Sequence, residues 1–291
     1  MNEKVYPQWF VILPLFIYII FFLLPNVLGV FYSFTDWSSR SAINGIHSVG
    51  LQNYIDIFTA DKEYSVGIFN TLKFTLISNI IKITIALFLA IMLKEGVFGK
   101  RVYRTILYLP AIIPLIIIGL TFKSVLNYNN GILNRMLETL HLGFLKQKWL
   151  SDLHVVWKTI YGVDAWRGIG YVMTIFLAGL MAIPHTYYEA ADIDGANFWR
   201  KLSHITLPML KGAITINLVF GITYGLKVFD IIYVLTNGGP GHYTEVLTTY
   251  VFQLYSKGQY GMATSMNTIL LIITGIAGVA VVKMMSKQEA Q

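Results

Sequence analysis

Glu189, Asp192 and Asp194 stand close enough along the chain to form a carboxylate cluster of the kind used in acid–base chemistry. Such chemistry needs a reacting group within hydrogen-bond reach, and no nucleophile stands beside them. The chain has no cysteine, which removes disulfides, thiolate metal sites and cysteine nucleophiles. His47, His141, His154, His185, His204 and His242 are scattered without the spacing of metal ligands. A phosphate-binding loop reads G-x-x-x-x-G-K-[ST]. The segment Gly96-Val97-Phe98-Gly99-Lys100-Arg101 has the wrong spacing, ends in Arg and reads as a turn. No catalytic residue, metal site or nucleotide site is therefore expected on this chain.

A second group of polar residues lies inside apolar stretches. Asp164, Arg167, Gly168 and Tyr171 follow i, i+3, i+4, i+7 spacing and share one helical face. Asn217, Gly221, Tyr224 and Gly225 make another stripe, with Thr223, Lys227 and Asp230 on an adjacent one. Ionisable groups within a membrane helix cost about 2.5–3.5 kcal/mol on insertion scales and mark functional positions by default. Plainer roles compete with that reading. Gly221 and Gly225 form a G-x-x-x-G packing step, while Arg167 with Asp164, and Lys227 with Asp230, could be ion pairs. Lys73 and Lys82 read as snorkelling or interhelical contacts.

Only a membrane bundle can hold such faces. The 291 residues are 55% hydrophobic, 14% aromatic and 13% charged, against about 25% charged in soluble domains. Mean hydropathy is +0.60. Stretches 9–34, 69–93, 103–126, 159–182, 211–235 and 264–283 are apolar enough for spans, each meeting the roughly 20 residues a bilayer requires. The first is too long for a signal-peptide core and is read as retained. An even number of spans puts both termini on one side. Lys94, Lys100, Arg101 and Arg104, then Arg200, Lys201 and Lys211, then Lys283 and Lys287 fall on that side, which the positive-inside rule makes cytoplasmic. The net charge of +7 is assigned to these loops rather than to nucleic-acid binding, since no basic run is interleaved with aromatics. Arg135, Lys146, Lys148 and Lys158 crowd an outer loop and weaken the asymmetry. In that loop Ile132, Leu133, Met136, Leu137 and Leu140 recur at helical spacing around Asn134, Arg135 and Glu138. This is the pattern of a short helix lying on the membrane face or packed on the bundle.

The connection 183–210 carries Glu189-Ala190-Ala191-Asp192 and, after Gly195, Ile205, Leu207 and Pro208. Its chemistry predicts two short helical pieces broken at Gly195, which takes positive φ at little cost. Ala190 and Ala191 would admit a close partner, Glu189 and Asp192 would sit in a first helical turn, and Pro208 would close the segment.

The pattern E-A-A, three residues, Gly, nine residues, I-x-L-P resembles the coupling loop of binding-protein-dependent ABC permeases. Glu189, Ala190, Ala191, Gly195, Ile205, Leu207 and Pro208 occupy its fixed positions. Tyr108-Leu109-Pro110, Phe176-Leu177-Ala178-Gly179-Leu180 and Asp230 through Pro240 resemble the carbohydrate branch, typified by maltose, glycerol-phosphate and multiple-sugar permeases. The resemblance implies a single six-helix permease domain over 1–291 of the type I (MetI-like) kind, in a bacterial or archaeal plasma membrane. It also implies a second homologous permease subunit, two ATP-binding subunits that hold ATP and Mg, and an extracytoplasmic solute-binding protein. In that setting the faces of Asp164, Arg167, Gly168, Tyr171, Asn217, Gly221, Tyr224, Gly225, Lys227 and Asp230 are expected to line a sugar pathway. A phosphorylated polyol or another polar solute remains an alternative cargo, as does an ion-coupled secondary carrier.

Overall fold

The computed structural model describes residues 9–59, 62–94 and 98–289. Gly96 and Val97 of the loop discussed above, and the side chain of Lys287, lie outside the described residues. Within them the regular structure is helical, apart from an isolated bridge between Thr35 and Ser48. We label the main helices α1 (Trp9–Tyr32), α2 (Lys62–Lys94), α3 (Lys100–Ile112), α4 (Leu115–Val125) and α5 (Ile132–Thr139). These are followed by α6 (Val156–Met181), α7 (Thr186–Ile193), α8 (Lys211–Leu226), α9 (Asp230–Leu235), α10 (Leu247–Ser256) and α11 (Tyr260–Glu289).

Helices α1, α2 and α11 are each long and apolar enough to cross a membrane. Three bent pairs meet the same criterion: α3 with α4 at 96°, α6 with α7 at 71°, and Phe198–Met209 with α8 at 66°. Two expected spans are therefore not straight. Stretch 103–126 breaks at Ile113, which is extended at φ −73°, ψ 132°, because the ring of Pro114 disfavours helical backbone in the residue before it. Stretch 211–235 stops at Lys227 and resumes at Asp230. Neither Pro nor Gly causes that stop. The Thr248 hydroxyl instead donates to the Val228 carbonyl, which a continuing helix would have used.

Proline leaves another trace. A π turn at Ile19–Leu23 precedes Pro25, and one at Leu202–Thr206 precedes Pro208. Proline offers no N–H and its ring collides with the carbonyl four residues earlier; a widened turn relieves both. The Asn26 amide occupies the Phe22 carbonyl in the first case, at 2.7 Å.

The chain forms two compact units. One comprises residues up to Ser65 together with Tyr250–Ile273. In it Ser265 donates to the Ser33 carbonyl at 2.7 Å, the Asn53 amide bridges the Ser33 and Thr35 carbonyls, and Trp37 packs on Tyr260. No residue of α1 is buried, as expected of a helix whose neighbours are lipid or other chains.

The second unit, Val66–Thr249 with the chain from Thr274 onward, holds the candidate site. One apolar cluster gathers Phe74, Ile118, Ile160, Ile231 and Leu235 from α2, α4, α6 and α9. Another gathers Ala86, Met173, Phe176, Leu180 and Leu210. Glycines set the closeness of these helices. A Cβ on Gly170 would lie 2.0 Å from the Leu107 carbonyl oxygen, so α3 crosses α6 nearly backbone to backbone. Small residues at such crossings are the usual means by which membrane helices gain packing. Helix α5 is anchored by a polar residue: Asn134 is buried and bonds the Tyr128 and Gln147 carbonyls and the Trp149 indole. Leu133 packs on the first cluster, while Ile132, Met136 and Leu140 are exposed.

Candidate functional site

Within the second unit a cavity of about 290 Å³ opens between α2, α3, α6 and α8. Asn79 and Lys82 line it from α2, Tyr108 and Ala111 from α3, Arg167, Gly168, Tyr171 and Val172 from α6, and Asn217, Phe220, Gly221 and Tyr224 from α8. The i, i+4 repeat on α6 brings Arg167, Gly168 and Tyr171 to the same wall. The repeat Asn217, Gly221, Tyr224 does the same on α8.

Asp164 stands behind that wall, 1% exposed, and accepts from three donors. Lys82 Nζ is 3.0 Å from Oδ2, the Tyr224 hydroxyl is 2.8 Å from Oδ1, and Ser78 Oγ also donates to Oδ2. A carboxylate held away from water is tolerable only when paired and hydrogen-bonded in this way. The competing reading of Asp164 and Arg167 as an ion pair does not hold: the carboxylate pairs with Lys82 of α2. The consequence is directional. Tyr224 spends its proton on Asp164 and keeps acceptor lone pairs, while Lys82 retains further N–H donors at the cavity edge. Lys82 Nζ also sits 4.5 Å from the Tyr224 ring centre, a cation–π contact.

Arg167 Nε and Asn217 Oδ1 are buried without a hydrogen-bond partner. Arg167 has no carboxylate partner among the described residues, and the cavity lining contains no acidic residue. Tyr171 and Phe220 meet edge to face, centres 6.1 Å apart, and add an apolar aromatic wall. Donors, acceptors and flat rings around one space suit a polyhydroxylated ligand, whose hydroxyls need both hydrogen-bond roles.

Other expected residues fall elsewhere. Gly225 packs against Thr75, where a Cβ would lie 2.7 Å from the Thr75 Cα. Gly221 is both a lining residue and a packing residue, since a Cβ there would meet the Asn79 amide. Lys227 and Asp230 are not in the lining and form no ion pair among the described residues; they stand on either side of the break between α8 and α9. Lys73 lies over the Trp157 ring at 5.9 Å. Sequence reasoning missed Asn79, Tyr108 and Phe220; it allowed Lys82 an interhelical contact, which the Asp164 pair is, but not a place in the lining. Ser78 and Lys82, spaced i, i+4 within an apolar helix, were the available signal.

The connection 183–210 folds as α7, a sharp turn, and the segment Phe198–Met209. Gly195 has φ +68° and closes α7 with both bonds of a Schellman motif, Ala196 N–H to Ala191 O at 2.8 Å and Gly195 N–H to Asp192 O at 3.1 Å. Asn197 caps the next turn, its Oδ1 accepting the Arg200 N–H at 2.9 Å. Glu189 lies in the first turn of α7, 3.0 Å from His185, whereas Asp192 lies in the last and pairs with Lys201. Expecting both acids in the first turn is corrected by where the helix starts, at Thr186. The alanines also differ: Ala191 is buried and Ala190 exposed. Ile205 and Leu207 are half-buried and Pro208 is exposed. Tyr187, Ile193 and Trp199 present exposed apolar surface around the turn, Ile193 at 88%, and exposed apolar groups ringed by charge mark a contact surface.

Residues 82–288 match the family described as binding-protein-dependent transport system inner membrane component. The trehalose/maltose transport system permease protein MalF of Thermococcus litoralis is 33% identical over 265 residues, covering 91% of this chain and 88% of the relative. The multiple sugar-binding transport system permease protein MsmF of Streptococcus mutans is 32% identical over 293 residues, covering 99% and 97%. A bacterial alginate ABC transporter solved with its alginate-bound periplasmic protein contains a chain of the same fold. It aligns at a TM-score of 0.79 over 94% of this chain and 91% of its own, at 24% identity. The chain belongs to the inner-membrane components of binding-protein-dependent ABC transport systems.

Proposed function

We propose that this chain is a pore-forming permease subunit of an ABC importer that takes a sugar or oligosaccharide from an extracytoplasmic binding protein. Both termini and the connection 183–210 face the cytoplasm. A second homologous permease and two ATP-binding subunits complete the importer, and ATP with Mg binds those partners. Closure of the ATPase pair moves α7, and the motion passes through Pro184 and the Tyr188–Thr206 contact, 3.0 Å between hydroxyls, into α6 and α8. These are the two helices that supply most of the cavity lining.

The cavity carries this reading. Its aromatic wall, its Lys82 and Arg167 donors and its Tyr224 and Asn217 acceptors suit a sugar ring. The names of the relatives, which print trehalose, maltose and multiple sugars, support the same class. One observation favours a second cargo. Arg167 is a cation without a carboxylate partner among the described residues, which suits a phosphorylated polyol or another anionic solute.

ATP hydrolysis in proteoliposomes holding the chain, its partner permease, the ATPase and the binding protein tests the assignment. Loaded binding protein should stimulate hydrolysis, and Glu189→Lys should abolish stimulation and release the ATPase. Uptake that persists without ATP and ignores the loop change would overturn the importer reading in favour of an ion-coupled carrier.

A further inference from the structure

The outer loop carries a charge pattern that membrane orientation does not explain. Between residues 127 and 158 it holds four basic residues, Arg135, Lys146, Lys148 and Lys158, against Glu138 and Asp152. Basic residues gather on the cytoplasmic side by default, so an excess on the opposite face calls for another cause. Both acids are already engaged. Lys146 Nζ is 2.6 Å from Glu138, and Asp152 accepts the His154 N–H at 2.7 Å.

Of the other cations Lys148, its ammonium 5.5 Å over the Tyr128 ring, lines a cavity of about 450 Å³ together with Lys123 of α4. Neither lysine has a carboxylate partner among the described residues, and the lining contains no acidic side chain. Asn127, Asn129, Ser151 and Thr236 add polar groups to the walls. The cavity is also firmly built. Trp149 is tied to buried Asn134 at 2.8 Å, and the Asn127 side chain accepts the backbone N–H groups of Asn129 and Asn130 at 3.0 Å. Thr236 bonds Thr244 at 2.8 Å, and Thr244 holds the Gly239 carbonyl at 2.7 Å. A site fixed before binding loses little freedom when it is filled.

We propose that this cavity receives an acidic, carboxylate-bearing loop of the extracytoplasmic binding protein. The inference rests on the orientation and the importer reading given above. The family is defined by dependence on such a protein, and two exposed ammonium groups without carboxylate partners among the described residues, around a preformed polar pocket, are complementary to its carboxylates. Charge pairs of this kind govern the rate of encounter and its salt dependence. The polar loop walls distinguish the pocket from the apolar helix faces that meet lipid.

Binding of the cognate binding protein to the whole importer in nanodiscs of zwitterionic lipid, measured across a salt series, tests the proposal. Lys123→Glu with Lys148→Glu should weaken binding by about tenfold or more and flatten the salt dependence. Lys123→Gln with Lys148→Gln should fall between that variant and the wild type. Lys158→Glu, an exposed cation in the first turn of α6 outside the cavity, should bind within about twofold of wild type. Wild-type affinity and salt slope in the double Glu variant would overturn the proposal. So would a defect that emerges only in anionic lipid, which would assign the cavity to a headgroup. A wild-type importer that binds no such protein would overturn the importer reading as well.

Discussion

Asp164 accepts from Ser78, Lys82 and Tyr224 at a depth where each charge depends on the other. Breaking a buried ion pair from one side typically costs about 3–5 kcal/mol, whereas replacing both partners with apolar groups of similar size is often neutral. Asp164→Asn should therefore lower the melting temperature of the purified importer clearly. Lys82→Met with Asp164→Leu should recover most of that stability. Transport should recover in neither, because the second variant restores packing and leaves Tyr224 unoriented. Full transport in the double variant would show that the pair is scaffold alone. The glycines give a ranked expectation. Gly170→Ala drives a methyl into the fixed Leu107 carbonyl, while Gly221→Ala meets the Asn79 side chain, which can turn aside; Gly275→Ala meets nothing within 4 Å. Stability should fall in that order, with Gly275→Ala near wild type, and thermal unfolding in detergent reads it directly.

At the scale of the element, the turn after α7 isolates a backbone effect from a packing effect. Gly195 has φ +68° and open space where a Cβ would stand. A β-branched side chain there costs about 1–2 kcal/mol through backbone strain alone, whereas Asn visits that region readily. Gly195→Asn should keep binding-protein-stimulated ATP hydrolysis, and Gly195→Val should lose most of it while the permease stays folded. Equal activity of the two would mean that the turn's shape does not matter to coupling. Breaks of this kind were legible where their cause is local. Gly195 announces its own turn; Pro114 makes Ile113 extended, a local cause that the reading of 103–126 as one unbroken span passed over. The stop at Lys227 was hidden, because the Thr248 hydroxyl that takes the Val228 carbonyl belongs to another helix. The same distance in sequence hid the Lys82–Asp164 pair: helical periodicity reports which residues share a face, not which face of which helix it meets. Residues on α6 and α8 were found because each helix repeats its polar positions. Tyr108 of α3 and the apolar Phe220 of α8 belong to no polar repeat, Asn79 shares the α2 wall with Lys82, and only the packing of four helices makes them one lining.

For the molecule as a whole, side of the membrane is the property on which every functional statement depends. Lys94, Lys100, Arg101 and Arg104 near the start of α3, with Arg200, Lys201 and Lys211 around α8, argue for a cytoplasmic coupling loop. Lys123 and Lys148 argue the other way, unless they serve a partner rather than the membrane; Lys146 is paired with Glu138. The chain itself supplies a clean test, since it has no cysteine to mask an introduced one. Asn129, in the loop between α4 and α5, and Asp194, beside Gly195, are both exposed, so neither needs unfolding to react. In right-side-out vesicles, Asn129→Cys should label with a membrane-impermeant maleimide, and Asp194→Cys should label only after the membrane is opened. The reverse pattern would place α7 outside, where no ATPase could reach it, and would remove both the coupling scheme and the docking cavity at once. The expected pattern would leave the outer lysines as charges retained against the orientation rule, and a binding partner as their remaining physical cause.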